Sequence, residues 1–169
     1  MTIINTSIQL SPSCLHRNVT GNVEASVREK FLNKCFKKWG FILEIHDVDI
    51  KSAFVSPSNT AANFDIEFTA LCLKPEIGSL FQGNICLIFE QGVLVDVANV
   101  LKVLIPFDTA EGGFPSVSGL IHGYHFVDGI FEHDAEKSPL FTGKNISMKI
   151  TGTRFNTSSK TFNCYGCFA

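Results

Sequence analysis

Charge is scarce in this 169-residue chain: Asp, Glu, Lys and Arg make up 18% of it and sum to −2 at pH 7. So small a net charge excludes steering of a nucleic acid by the field of the whole molecule, and any basic face has to be local. Aromatics with a polar tip are scarce as well, one Trp and two Tyr beside sixteen Phe. Most aromatic surface is therefore destined for core filling, where no ring needs a hydrogen-bond partner. No apolar run approaches the roughly 20 residues that a membrane-spanning helix requires, so no membrane is expected as a partner. Met1 to Leu10 has neither a basic stretch nor a long apolar one, and a secretory signal is not expected. Without that route the six cysteines (14, 35, 72, 86, 164, 167) read as reduced, buried small hydrophobes. The Asn-x-Ser/Thr matches at Asn5, Asn18, Asn145 and Asn156 are then chance, and the expected setting is inside a cell. Dinucleotide fingerprints, phosphate-binding loops, zinc-protease motifs and nucleophile elbows are all missing. Carboxylates occur singly, as on a solvated face, so no catalytic residue and no cofactor is assigned.

With 45% hydrophobic residues, the chain can fill a packed core, and its apolar pattern changes period along its length. Residues 3 to 10 suit a first strand, closed by Ser11-Pro12. Val19, Val23, Val27, Phe31 and Cys35 then recur every four residues, with Leu32, Phe36 and Trp39 widening the stripe. This predicts a helix with Lys34, Lys37 and Lys38 in its last turn and Gly40 as its stop. Phe41, Leu43 and Ile45 switch to period two, as do Phe64, Ile66 and Phe68, and Ser56 to Thr60 is a turn cluster between two strands. Lys74-Pro-Glu-Ile-Gly78 breaks the pattern and marks a domain boundary.

Beyond it, strands are expected near 79–90, 93–98, 100–105, 124–131, 145–154 and 161–168, with a Gly/Pro/Ser-rich loop over 107–120. Five or six short strands fit a small closed barrel of the oligonucleotide-binding type better than a sandwich. The expected architecture is an α+β domain, a helix on an antiparallel sheet, over 1–76, followed by an all-β barrel over 77–169.

Two clusters carry candidate chemistry. The last 32 residues contain Lys144, Lys149, Arg154 and Lys160 with Tyr165 and no acidic residue. Cations beside an aromatic ring on a barrel are what single-stranded RNA needs, though four charges over two strands are also ordinary surface decoration. His122-Gly-Tyr-His125 and Cys164-Tyr-Gly-Cys167 could together offer four zinc ligands. Against this, strand residues three apart point to opposite faces, so no metal is assigned. Lys34, Lys37 and Lys38 suit a solvated helix end, and Phe36 and Trp39 suit either a core or a partner-facing surface.

The order of strand, helix, strands, Lys-Pro-x-x-Gly junction and barrel resembles the seventh-subunit family of multisubunit DNA-dependent RNA polymerases, a family of stalk subunits with archaeal members. Trp39-Gly-Phe-Ile-Leu43, Phe68 to Gly78, Phe81-Gln-Gly-Asn-Ile85 with Gly92-Val-Leu-Val95, and Gly143 to Ile150 carry the resemblance. It implies that 1–76 is a tip domain docking on the polymerase core near the clamp, with Phe36, Trp39, Gly40, Phe41, Pro75 and Gly78 as docking residues. It further implies RNA polymerase core subunits and a fourth-subunit-like stalk protein as partners, and a barrel that weakly contacts nascent RNA. The chain departs from the family at Val93 and Leu94, where an exposed aromatic is usual, and over 107–119 and its last strand. Such looseness suits a polymerase encoded by a large DNA virus, acting in host cytoplasm or virion; a cellular version acts in the nucleus. The rival reading is a free-standing RNA-binding barrel of translation or RNA metabolism.

Overall fold

A computed structural model describes residues 1–15, 18–55, 57, 61–89, 92–106, 124–127, 130–133 and 139–169. They are mostly β, with one α-helix among the described residues and a closed five-strand barrel. The chain divides into two compact units, Met1–Lys74 and Pro75–Ala169.

In the first unit β1 (Thr2–Leu10) leads through a 3-10 turn (Pro12–Cys14) into α1 (Val19–Phe31). The Asn18 side chain caps the helix by accepting from the Gly21 N–H at 3.0 Å. Val23, Val27 and Phe31, one per turn, are buried and share a core with Ile4, Ile8, Ile42 and Phe68. The four-residue apolar spacing predicts a helix running on to Gly40, and here the structure differs. The chain leaves α1 at Leu32, which is extended, and Asn33 turns it with φ of 57°. Cys35 and Phe36 then form a short strand, β2, antiparallel to the start of β3 (Gly40–Val55). The Asn33 N–H donates to the Ile42 carbonyl and the Ile42 N–H to the Lys34 carbonyl, at 2.9 and 3.0 Å. Sheet pairing thus outcompetes the last helical turns, and Lys34, Lys37 and Lys38 lie beyond the helix rather than in it.

β3 and β4 (Ala62–Leu73) form a long antiparallel hairpin, and β1 pairs with the far side of β4, giving the order β1-β4-β3-β2. Ala62, Phe64, Ile66, Phe68 and Ala70 on β4 face the helix side and are buried, while Asn63, Asp65, Glu67 and Thr69 alternate with them. On that second face Ser52 and Ser7 donate hydroxyl bonds to Asp65 at 2.6 and 2.7 Å. These bonds, Ser52's first, favour the ionised carboxyl and hold its pKa below the usual carboxylate value. A depressed carboxyl contributes stability above its unfolded pKa and loses it as pH falls through the folded one. Ser52→Ala is expected to raise the Asp65 pKa in an NMR titration and to flatten the acid limb of stability; an unmoved Asp65 titration would refute the assignment.

In the second unit β5 (Leu80–Phe89), β6 (Gly92–Val97) and β7 (Leu101–Pro106) form a meander. β8 (Tyr124–Val127) and β9 (Ile130–His133) form a separate two-stranded sheet. The strand expected over 124–131 is therefore two. β10 (Asn145–Asn156) and β11 (Thr161–Phe168) complete the barrel in the order β10-β11-β7-β6-β5, with β10 returning to β5. Every pair is antiparallel except β7 with β11. Counting barrel strands alone, this is 1-2-3-5-4 closed on 1, a five-stranded Greek key of the kind that oligonucleotide-binding barrels use. Val93, Val95, Val97, Val103, Ile105, Met148 and Ile150 fill the interior. Gly83 faces the same interior, where a β-carbon would meet Val95 Cγ1 at 2.8 Å.

Candidate nucleic-acid interface

The alternation that buries Val93, Val95, Val103 and Ile105 turns Leu94, Asp96, Lys102 and Leu104 outward on β6 and β7. The parallel pairing of β11 with β7 sets Tyr165 beside Leu104 and Cys164 beside Val103. A groove of about 470 Å³ results, lined among others by Leu94, Asn99, Lys102, Leu104, Asn163 and Tyr165. It lies on the second and third strands of the barrel, the face by which this fold takes oligonucleotides.

Tyr165 is 43% exposed. Its cross-strand neighbour is Gly152, and a β-carbon there would touch the ring at 3.6 Å, so the missing side chain leaves the ring room to lie across β10. Along the ladder in one direction, Arg154 stands opposite Asn163; in the other, Lys149 stands opposite Cys167. Both cations are exposed and share the outer face with Tyr165, one on each side of it. A bulge between Ile150 and Gly152 makes this possible. Were β10 to alternate strictly through Thr151, with no bulge, Arg154 would fall on the same face as Ile150 and point inward.

Lys160 closes the β10–β11 turn with φ of 51°, inside an arrangement where Asn156 Oδ1 accepts from the Ser158 and Ser159 N–H groups at 2.9 and 3.3 Å. Lys144 lies elsewhere, donating from Nζ to the Pro139 carbonyl at 2.8 Å in the turn before β10. Of the five residues that the sequence groups, the structure sets Lys149, Arg154 and Tyr165 on one face, while Lys160 lies in the β10–β11 turn and Lys144 before β10; the sequence reading misses Lys102, Asn99 and Asn163. None of Lys102, Lys149, Arg154 and Lys160 is ion-paired among the described residues. Asp96, opposite Lys102 in the ladder, keeps a buried Oδ1 without a protein partner among the described residues. The groove thus offers the exposed Tyr165 ring, with half-buried Phe162 behind it, the amides of Asn99 and Asn163 and the Lys102 cation, with Lys149 and Arg154 flanking Tyr165 on the same face.

The zinc pattern does not assemble on the described residues. Cys164 faces inward, 4% exposed, while Cys167 is on the opposite face of β11. Burial pushes the Cys164 thiol up, partly offset by its contact with Thr153, and a raised thiol disfavours the thiolate that zinc requires. The side chains of His122 and His125 lie outside the described residues, as does the loop expected over 107–120. Among the described residues no group of three or more His, Cys, Asp and Glu converges.

The residues expected to dock occupy two places. Phe36 and Trp39 are half-buried at the β2–β3 turn, in edge contact at 5.7 Å, and Phe36 continues to Phe31 at 5.4 Å. Gly40 follows with φ of 83°, and Phe41 is buried between Cys35 and Leu73. Pro75 is buried, and exposed Gly78 donates its N–H to the Ile150 carbonyl at 2.8 Å.

No family model matches the chain. Over 112 residues, 62% of this chain, it is 26% identical to the DNA-directed RNA polymerase II subunit RPB7 of Saccharomyces cerevisiae. That match spans 66% of the yeast protein, just under two thirds of its length. The chain is thus distantly similar to a polymerase subunit of the family that its junction and barrel motifs resemble.

Proposed function

We propose that the chain is a noncatalytic stalk subunit of a DNA-directed RNA polymerase, working inside the cell where its polymerase works. The similarity to RPB7 carries this reading, and the order of the barrel strands agrees with it. In this reading residues 1–76 are the tip domain that docks on the core enzyme near the clamp and contributes to initiation. Phe36, Trp39, Gly40 and Phe41 shape its docking end, with Pro75 and Gly78 at the junction. A fourth-subunit-like protein is its stalk partner, and residues 77–169 present the groove to nascent RNA. The yeast relative adds nothing in favour of a viral polymerase.

Affinity purification of the tagged native protein tests the assignment. Large polymerase subunits should co-purify in equal amounts with it; recovery of a free monomer that binds RNA would replace this reading with that of a free-standing RNA-binding barrel.

RNA contact in the assembly has to be local, since the second unit carries nine acids against six cations. Of those acids six lie within 108–136, away in sequence from the groove strands. Changing Lys149 and Arg154 together to Ala should weaken binding of oligouridylate and flatten its dependence on log[salt] by about 1.4, at about 0.7 for each phosphate no longer neutralised on a single strand. An unchanged slope would remove both residues from the interface.

A further inference from the structure

The N-terminal unit carries a second charged surface that the groove does not use. From Arg28 to Lys38 the chain has five cations and one acid, Glu29, although its overall balance is −2. All five cations are exposed. The helix dipole accounts for the cations closest to the end of α1: Lys34 Nζ donates to the Glu29 carbonyl at 2.7 Å, where helical carbonyls lack partners. It does not account for Lys37 and Lys38, which sit in the β2–β3 turn.

Aromatic contacts gather these charges. The rings of Phe31, Phe36 and Trp39 form a row with centroids 5.4 and 5.7 Å apart. Lys30 lies over the Phe31 end at 5.7 Å and Lys38 over the Trp39 end at 5.3 Å, so residues eight apart in sequence flank one surface. No cation of the five has an ion pair among the described residues, whereas Lys51 on β3 is paired by Glu67 at 2.9 Å. Clustered, exposed and unneutralised like charges repel one another, and a polyanion relieves that repulsion.

We propose that this end of the unit, the C-terminus of α1 with the β2–β3 turn, is a docking face for a carboxylate-rich protein segment. A protein fits better than a nucleic-acid strand because the rings here are committed. Phe31 is buried, Phe36 and Trp39 pack against the core, and Lys38 lies over Trp39, so no ring is left for a base. The biological setting rests on the docking role proposed above, but the chemistry belongs to the chain alone.

Trp39 is the single Trp of the chain, so intrinsic fluorescence reports on this face. Titrating the full chain with a short polyglutamate peptide should shift Trp39 emission as Lys38 is drawn toward the ligand, and added NaCl should reverse the shift. Lys34→Glu with Lys37→Glu leaves the Lys38–Trp39 reporter in place and should weaken the peptide on the order of tenfold or more. Lys34→Gln with Lys37→Gln, a gentler change, should weaken it less. Lys149→Ala with Arg154→Ala should leave it unchanged. Peptide binding that is absent, or indifferent to the charge reversal, would overturn the proposal. So would oligouridylate that competes with the peptide and depends on the same lysines, in favour of a nucleic-acid face. A positive titration together with failure to recover polymerase subunits would uphold the docking face while removing the polymerase reading.

Discussion

Gly40→Ala is expected to destabilise the N-terminal unit by about 3 to 5 kcal/mol, among the largest effects of any single substitution in the chain. Two costs add at this position. Its φ of 83° lies in the left-handed region, which costs an L-residue roughly 1 to 2 kcal/mol. A β-carbon would also collide with the Leu73 carbonyl oxygen and stand 2.7 Å from Lys74 Cα. Those atoms are backbone, so no rotamer change relieves the clash. Relief requires β3 to move off β4 where Phe41 pairs with Leu73, next to the β2 pairing of Phe36 with Gly40. Gly78→Ala is the control: its φ of 92° is similar, but nothing lies within 4 Å of the new carbon, so only the dihedral cost remains. Urea unfolding followed by Trp39 emission reads the N-terminal transition directly, and a midpoint unchanged by Gly40→Ala would refute the backbone role given to this glycine. In the docking role proposed for this end of the unit, Gly40 acts indirectly: it carries no side chain to a partner but fixes the turn that holds Trp39 and Lys38.

Where sequence and structure part, the cause is pairing at a distance. The Val19 to Phe31 stripe reads as a helix and is one, because its period and its Asn18 cap are local. Cys35, Phe36 and Trp39 keep a nearly helical spacing, yet β3 claims Cys35 and Phe36 through backbone bonds that no window of sequence contains. Asn33 was the available signal, as Asn tolerates a left-handed φ just past a helix. The barrel strands are legible from alternation, and the ring and cations of β10 and β11 from composition. Lys102 is different. In Leu101-Lys-Val-Leu-Ile105 a lone charge amid apolar residues shows only that its side chain faces outward. Its partnership with Tyr165 arises from the parallel β7–β11 pair, some sixty residues apart, and the bulge that turns Arg154 outward is equally invisible beforehand.

Tyr165→Ala should weaken oligouridylate binding by about 1 to 3 kcal/mol, the range for losing one base–aromatic stack, or roughly 5- to 150-fold. Tyr165 is the most exposed ring of the groove; half-buried Phe162 also lines it but packs edge-on against Phe155 at 5.0 Å, and Leu94, Val100 and Leu104 are aliphatic. Aliphatic side chains give contact area but no π-face, and the Phe162 ring is engaged with Phe155, so neither replaces the exposed tyrosine in full. Tyr165→Phe keeps the face and should bind within about twofold of the parent, since the neutral hydroxyl adds at most a modest hydrogen bond. Lys102→Ala should cost less than the ring and act differently, lowering the salt slope by about 0.7 while leaving the salt-independent part in place. The two changes therefore separate stacking from charge within one groove. Because Tyr165 is 43% exposed and its ring rests beside Gly152 rather than in the core, the barrel should keep its fold in all three variants. Fluorescence anisotropy at several salt concentrations supplies the readout. If Tyr165→Ala binds as tightly as the parent at every salt, the β7–β11 groove is not an RNA-contacting face.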